Sequence, residues 1–110
     1  MSVETLVSKV TACQKACNFC FDACLKEENV KMMAECIRSD RECADLCGVV
    51  LDFAQRDSKV LPEIVAACIK ACQICAEECE KHEHHDHCQA CARACRECEA
   101  ACHDYLATVA

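Results

Sequence analysis

The sequence predicts an all-α fold, an antiparallel up-down-up-down four-helix bundle with a cysteine-lined core. Three observations carry this reading. Apolar and thiol residues recur at alternating steps of three and four, the spacing of a helical seam. Only one glycine and one proline occur in 110 residues, so long helices are rarely interrupted. Breaks fall near 27–29, 57–61 and 82–86, and connections this short make consecutive helices antiparallel neighbours.

The first helix is expected from about Val3 to Lys26. Asn29 is a plausible N-cap for the second, which reaches about Arg56. Pro62 suits a first helical turn, where its missing N–H leaves no bond unmade, so the third helix starts there and fades at Lys81. The fourth opens with Asp86-His87-Cys88-Gln89, a capping-box spacing, and runs to about Thr108. A chain of this length, 54% hydrophobic, suits one domain spanning residues 1–110.

Sixteen cysteines dominate the composition. On the first helix they are Cys13, Cys17, Cys20 and Cys24. The second carries Cys36, Cys43 and Cys47, with Asp40 where a further rung would fall. The third repeats the ladder with Cys68, Cys72, Cys75 and Cys79. Five more, Cys88, Cys91, Cys95, Cys98 and Cys102, line the fourth. In an ordinary bundle these positions hold leucine or valine, so a seam made of thiol is a chemical choice. Asp40 reads equally well as an axial acceptor or as the mark of a rotated, solvated helix.

Followed past the cysteines, the seams lead at one end to Leu6, Val10, Val50, Ala54, Leu61, Val65, Tyr105 and Val109, an apolar plug. At the other end they lead to Met33, His82 and His84, with Met32, His85 and His87 close by. Met32 and Met33 are adjacent and cannot both face the axis, and Met33 is the one in register. The histidine stretch reads as a metal entry site or, equally, as a solvated loop. Glu27 and Glu28 read as ordinary helix-end charge, and His103 as a surface residue.

Composition excludes several function classes. A net charge of -7 leaves no basic footprint for nucleic acid, and too few aromatics occur for base stacking. No apolar run approaches the roughly 18 residues of a membrane span. The N-terminal stretch has neither a basic leader nor an apolar h-region, which predicts a cytoplasmic chain. In a reducing compartment dense thiols serve as metal ligands rather than disulfides. Helical spacing agrees, because Cβ atoms about 5–6 Å apart in CxxxC exceed the disulfide range. No recognisable nucleophile arrangement supports an enzyme.

Thiol columns admit zinc, iron–sulfur clusters or copper(I). Charge discriminates among them. Sixteen thiolates around four Zn²⁺ ions leave eight negative charges inside a narrow bundle, whereas one Cu⁺ per thiolate leaves none. Copper(I) is soft and accepts low coordination, so one sulfur can bridge two ions. Iron–sulfur ligation fits less well, since the usual closely spaced cysteine run ending in proline is absent. A metallothionein-like zinc sink and an iron–sulfur redox protein stay open as alternatives.

Cysteines at this spacing on all four helices, from Cys13 to Cys102, resemble the bacterial four-helix-bundle copper storage proteins. The resemblance implies multiple Cu(I) ions held by the thiolates inside each bundle and assembly into homotetramers. Off-seam Phe19, Phe21, Ile37, Leu46, Ile69 and Ile74 offer surface for inter-helix packing and an oligomer interface. The absent leader makes the chain look like the cytosolic members, which keep copper reduced and sequestered. A copper donor or acceptor protein is implied, and the sequence does not identify it. Asp40 departs from the fully thiol seam.

Overall fold

The computed structural model describes residues 3–109. Four helices form: α1 (Val3–Leu25), α2 (Ala34–Gln55), α3 (Leu61–Glu80) and α4 (Asp86–Val109), with a 3₁₀ turn at Val30–Met33 leading into α2. Consecutive helices pack against each other, and α1 packs against α4. The pairs α1/α3 and α2/α4 therefore lie across the diagonals of a square, as an up-down-up-down bundle requires. The result is a rod of 44 × 19 × 18 Å. Among the described residues, no helix is long and apolar enough to cross a membrane.

The helix ends refine the sequence reading. Asn29 precedes the 3₁₀ turn rather than α2, and its side chain makes no capping bond. The Asp86–Gln89 spacing is not used as a capping box. Instead the His85 carbonyl accepts the backbone N–H of Cys88 at 3.0 Å and of Gln89 at 3.1 Å. The Gln89 amide reaches sideways, donating to the carbonyls of Cys79 at 3.3 Å and His82 at 3.1 Å. That side chain gives a further donor to one carbonyl at the end of α3 and one in the turn, which also accept the backbone N–H of His82 at 3.0 Å and of His85 at 3.2 Å respectively. It also locks the α3–α4 turn that carries the histidines. Leu61 opens α3 with Pro62 in its first turn, as the proline predicts.

All sixteen cysteines are fully buried, as are Leu6, Val10, Val50 and Val65. Leu61 and Tyr105 complete the plug, and Ala54 is half-buried. Val109 corrects the expected plug. It is 48% exposed, because α4, at 24 residues against 20 for α3, outruns its partner. Outside the seam, Ile69 is buried and Ile37 packs partly on the core, while Phe19 and Ile74 face outward. Ion pairs tie the outer faces together. Arg96 on α4 grips Glu80 on α3 through two bonds of 3.0 and 3.1 Å, and Lys9 on α1 meets Glu97 on α4 at 2.9 Å. Half-exposed pairs of this kind add register more than stability.

Candidate metal centre

Seam geometry turns the cysteine ladders into one column of sulfur. Side chains three and four residues apart share a helix face, and four such faces converge on the bundle axis. All sixteen thiols are free. Toward the plug, Cys13 Sγ lies 3.9 Å from Cys17, 3.8 Å from Cys43 and 3.8 Å from Cys95, and Cys43 lies 3.7 Å from Cys72. Cys47, Cys68, Cys98 and Cys102, all fully buried, continue the column. Toward the other end, Cys36 lies 3.6 Å from Cys79 and 3.8 Å from Cys88, and Cys20 lies 3.8 Å from Cys24. These are contact distances, far from the roughly 2.05 Å of a disulfide.

The spacing suits metal without rearrangement. With metal–sulfur bonds of about 2.3 Å, ligands of a trigonal ion sit about 4.0 Å apart and those of a tetrahedral one about 3.8 Å. Ligand sets overlap along the column. Cys13, Cys17, Cys43 and Cys95 form one group with atoms within 4.8 Å of one another, and Cys17, Cys75, Cys91 and Cys95 form the next. Sharing Cys17 and Cys95 between sites demands bridging sulfur, which matches Cu(I)–thiolate clusters better than separate closed Cys₄ zinc sites.

Asp40 interrupts the column at its middle and faces the axis, which decides between its two sequence readings. Its carboxylate accepts hydrogen bonds from Cys75 at 3.2 Å, Cys91 at 3.4 Å and Cys79 at 3.6 Å through Oδ1, and from Cys36 at 3.8 Å through Oδ2. Burial, reinforced by the negative charge Cys91 can carry, pushes its pKa up to about 8. It joins Cys20, Cys79 and Cys91 in a further ligand group. Near the column's end, burial pushes the Cys24 thiol up, with Cys36 and Cys88 adding to the effect.

At the open end the sequence-derived candidates separate. His87 reaches the column, its Nδ1 lying 3.5 Å from Cys20 and Cys88 and 4.0 Å from Cys24. It forms a ligand group with those three cysteines. Met33 is buried while Met32 is 68% exposed, in line with their register. His82 lies at the rim with Nε2 2.9 Å from Glu78. His84 is exposed and stands apart from the cluster, and His103 lies on the surface near Glu99. Glu27, Met33, His82 and His85 line a mouth cavity of about 440 Å³. Glu27, which the sequence reads as ordinary helix-end charge, instead contacts His85 at 3.1 Å beside His87.

Comparison with known proteins agrees with this geometry. The copper storage protein model matches residues 1–107. The chain belongs to the copper storage protein family. It is 45% identical over 86 residues to the cysteine-rich protein YhjQ of Bacillus subtilis, covering 78% of this chain and 79% of that one. The Cu(I)-bound copper storage protein BsCsp3, from Bacillus subtilis, superposes with a TM-score of 0.88 at 46% identity, covering 92% of this chain and 94% of its own. A cytosolic copper storage protein from Streptomyces lividans, carrying five coppers, gives 0.91 at 38% identity, over 94% and 91% of the two chains. The copper storage family is thus the setting in which the thiol column is to be read.

Proposed function

We propose that this chain is a single-domain, non-enzymatic Cu(I) store, loading many ions along the sulfur column within the cytosol. The observation that carries the reading is the continuity of overlapping ligand groups from the mouth, at His87, Cys24 and Cys88, inward to Cys13, Cys43 and Cys95. Copper is the cargo. The sixteen cysteines are its ligands, with Met33 and His87 serving the entrance and His82 and His84 its outer approach. An arriving ion passes inward by ligand exchange, each thiolate attacking an ion that its neighbour already holds. Binding releases thiol protons, so loading depends on pH. The cytosolic assignment follows the Streptomyces relative.

Assembly into a homotetramer follows from the family. Outward-facing Phe19 and Ile74, 69% and 46% exposed, supply apolar surface for it. Analytical ultracentrifugation of the apo and loaded protein checks the state.

Anaerobic titration with Cu(I) against a competing chromophoric chelator, with metal counted per chain, tests the storage reading. Saturation near one ion per thiol supports it. Saturation near four ions in a protein that prefers Zn²⁺ overturns it in favour of a zinc sink, and a coloured, iron-containing protein as isolated overturns it in favour of a cluster carrier. Neutral buried thiols allow the helices to form first, so circular dichroism of the metal-free protein shows full helicity.

A further inference from the structure

We propose that Glu27 is a positioning residue for copper entry: it fixes His87 as the Nε2-protonated tautomer, leaving the Nδ1 lone pair aimed at the first thiols. This rests on the storage reading. The geometry leaves little choice of proton. His87 Nε2 stands 2.7 Å from Oε2 of Glu27. An ionised carboxylate only accepts, so the nitrogen facing it carries the hydrogen, and a neutral imidazole then keeps its other nitrogen unprotonated. That other nitrogen is the one 3.5 Å from Cys20 and Cys88.

Glu27 is itself held. Its backbone N–H donates to the Cys24 carbonyl at 3.2 Å, closing the end of α1, so the carboxylate is fixed to the helix that carries Cys20 and Cys24. The same Oε2 lies 3.1 Å from His85 Nδ1, and the His85 and His87 ring centroids are 5.4 Å apart. The pair is shielded, with side chains 13% exposed for His87 and 29% for Glu27. A carboxylate behind a metal-binding imidazole fixes ring orientation and raises its basicity, the role of an outer partner at a metal site. Glu27 lies on the far side of the ring from the thiols and acts through His87 alone.

The test compares full-length wild type with E27A, E27Q, H87A and the E27A/H87A double variant. Ring ¹⁵N shifts of histidine-labelled apo protein report the tautomer. Wild type and E27Q, whose amide carbonyl still accepts, show Nε2–H, and E27A shows the Nδ1–H form appearing. Anaerobic stopped-flow transfer of Cu(I) from a chromophoric chelator slows by roughly 10–100-fold in E27A and recovers in E27Q. In the H87A background, E27A slows uptake no further. An unchanged tautomer in E27A overturns the proposal, whether or not its melting temperature falls. So does an E27A effect of equal size with and without His87. A wild type that takes up no Cu(I) overturns the storage reading only, because the tautomer is read without metal and decides Glu27 by itself.

Discussion

Asp40 Oδ1 accepts the Cys75 thiol at 3.2 Å in the middle of an otherwise all-sulfur axis. The contact divides the column into a mouth side, served by Cys20, Cys24, Cys36, Cys79 and Cys88, and a plug side from Cys13 inward. A carboxylate placed there is costly when charged and alone. Four thiols within 3.8 Å of its two oxygens make it tolerable in the apo protein.

The pH dependence of apo stability follows from that burial. Asp40 has its pKa raised from 3.8 to about 8, so between those values the folded chain binds a proton that the unfolded chain does not. Stability from this group is fully present below about pH 4 and is lost as pH rises toward 8. Urea unfolding of metal-free, reduced protein is expected to give a lower free energy at pH 8 than at pH 5, by at least about 1.4 kcal/mol, the equivalent of one pKa unit. Asp40→Asn flattens that slope and raises stability at pH 8. A D40N protein with the wild-type slope places the titration elsewhere.

The axial thiols are the cargo sites, so their number sets capacity. Replacing Cys20, Cys43, Cys75 and Cys95 together with alanine removes one sulfur from each helix while leaving helix-favouring residues behind. Saturating Cu(I) is expected to fall by about four ions per chain, at one ion per bridging thiol. Far-UV circular dichroism stays helical. Unchanged capacity shows that copper lies off the axis.

The plug carries stability rather than cargo. Leu6 is fully buried at the end of the bundle away from the His82–His87 turn, among Val10, Val50 and Val65. Leu6→Ala leaves a cavity in a core otherwise built of small thiols and is expected to cost about 2–5 kcal/mol in the apo protein. Copper capacity at saturation stays at its wild-type value, since no plug residue is a ligand. Chemical denaturation paired with metal counting checks both parts.

Much of this was legible in the sequence because a 3/4 spacing fixes a helix face. The position of every thiol follows from that rule, and all sixteen are buried. Asp40 escaped, since its register is compatible with either an axial or a rotated placement until the partner helices are present. Gln89 escaped for a different reason. Its spacing from Asp86 imitates a capping box, but the turn at His85 brings the Cys79 and His82 carbonyls within reach of its amide. Glu27 and His87 lie sixty residues apart, so their contact depends on how the α1 end and the α4 start meet in space. No local pattern encodes that meeting.

The α2–α3 connection holds a backbone strain that substitution can relieve. Asp57 has φ 51°, the left-handed conformation that non-glycine residues adopt at a penalty. It follows the α2 C-terminus, where the Asp57 N–H bonds the Ala54 carbonyl at 3.3 Å and the Ser58 N–H bonds that of Phe53 at 3.2 Å, so the cap depends on this conformation. Glycine adopts it without a Cβ clash, and its greater freedom in the unfolded chain offsets only part of the gain. Asp57→Gly is expected to stabilise the apo protein by roughly 0.5–1 kcal/mol, raising the melting temperature by a few degrees for a chain of this size. Asp57→Val, β-branched at the same dihedral, is expected to lower it. Differential scanning calorimetry of the two variants decides the matter, and a D57G protein melting below wild type shows that the Asp57 side chain stabilises the turn in its own right.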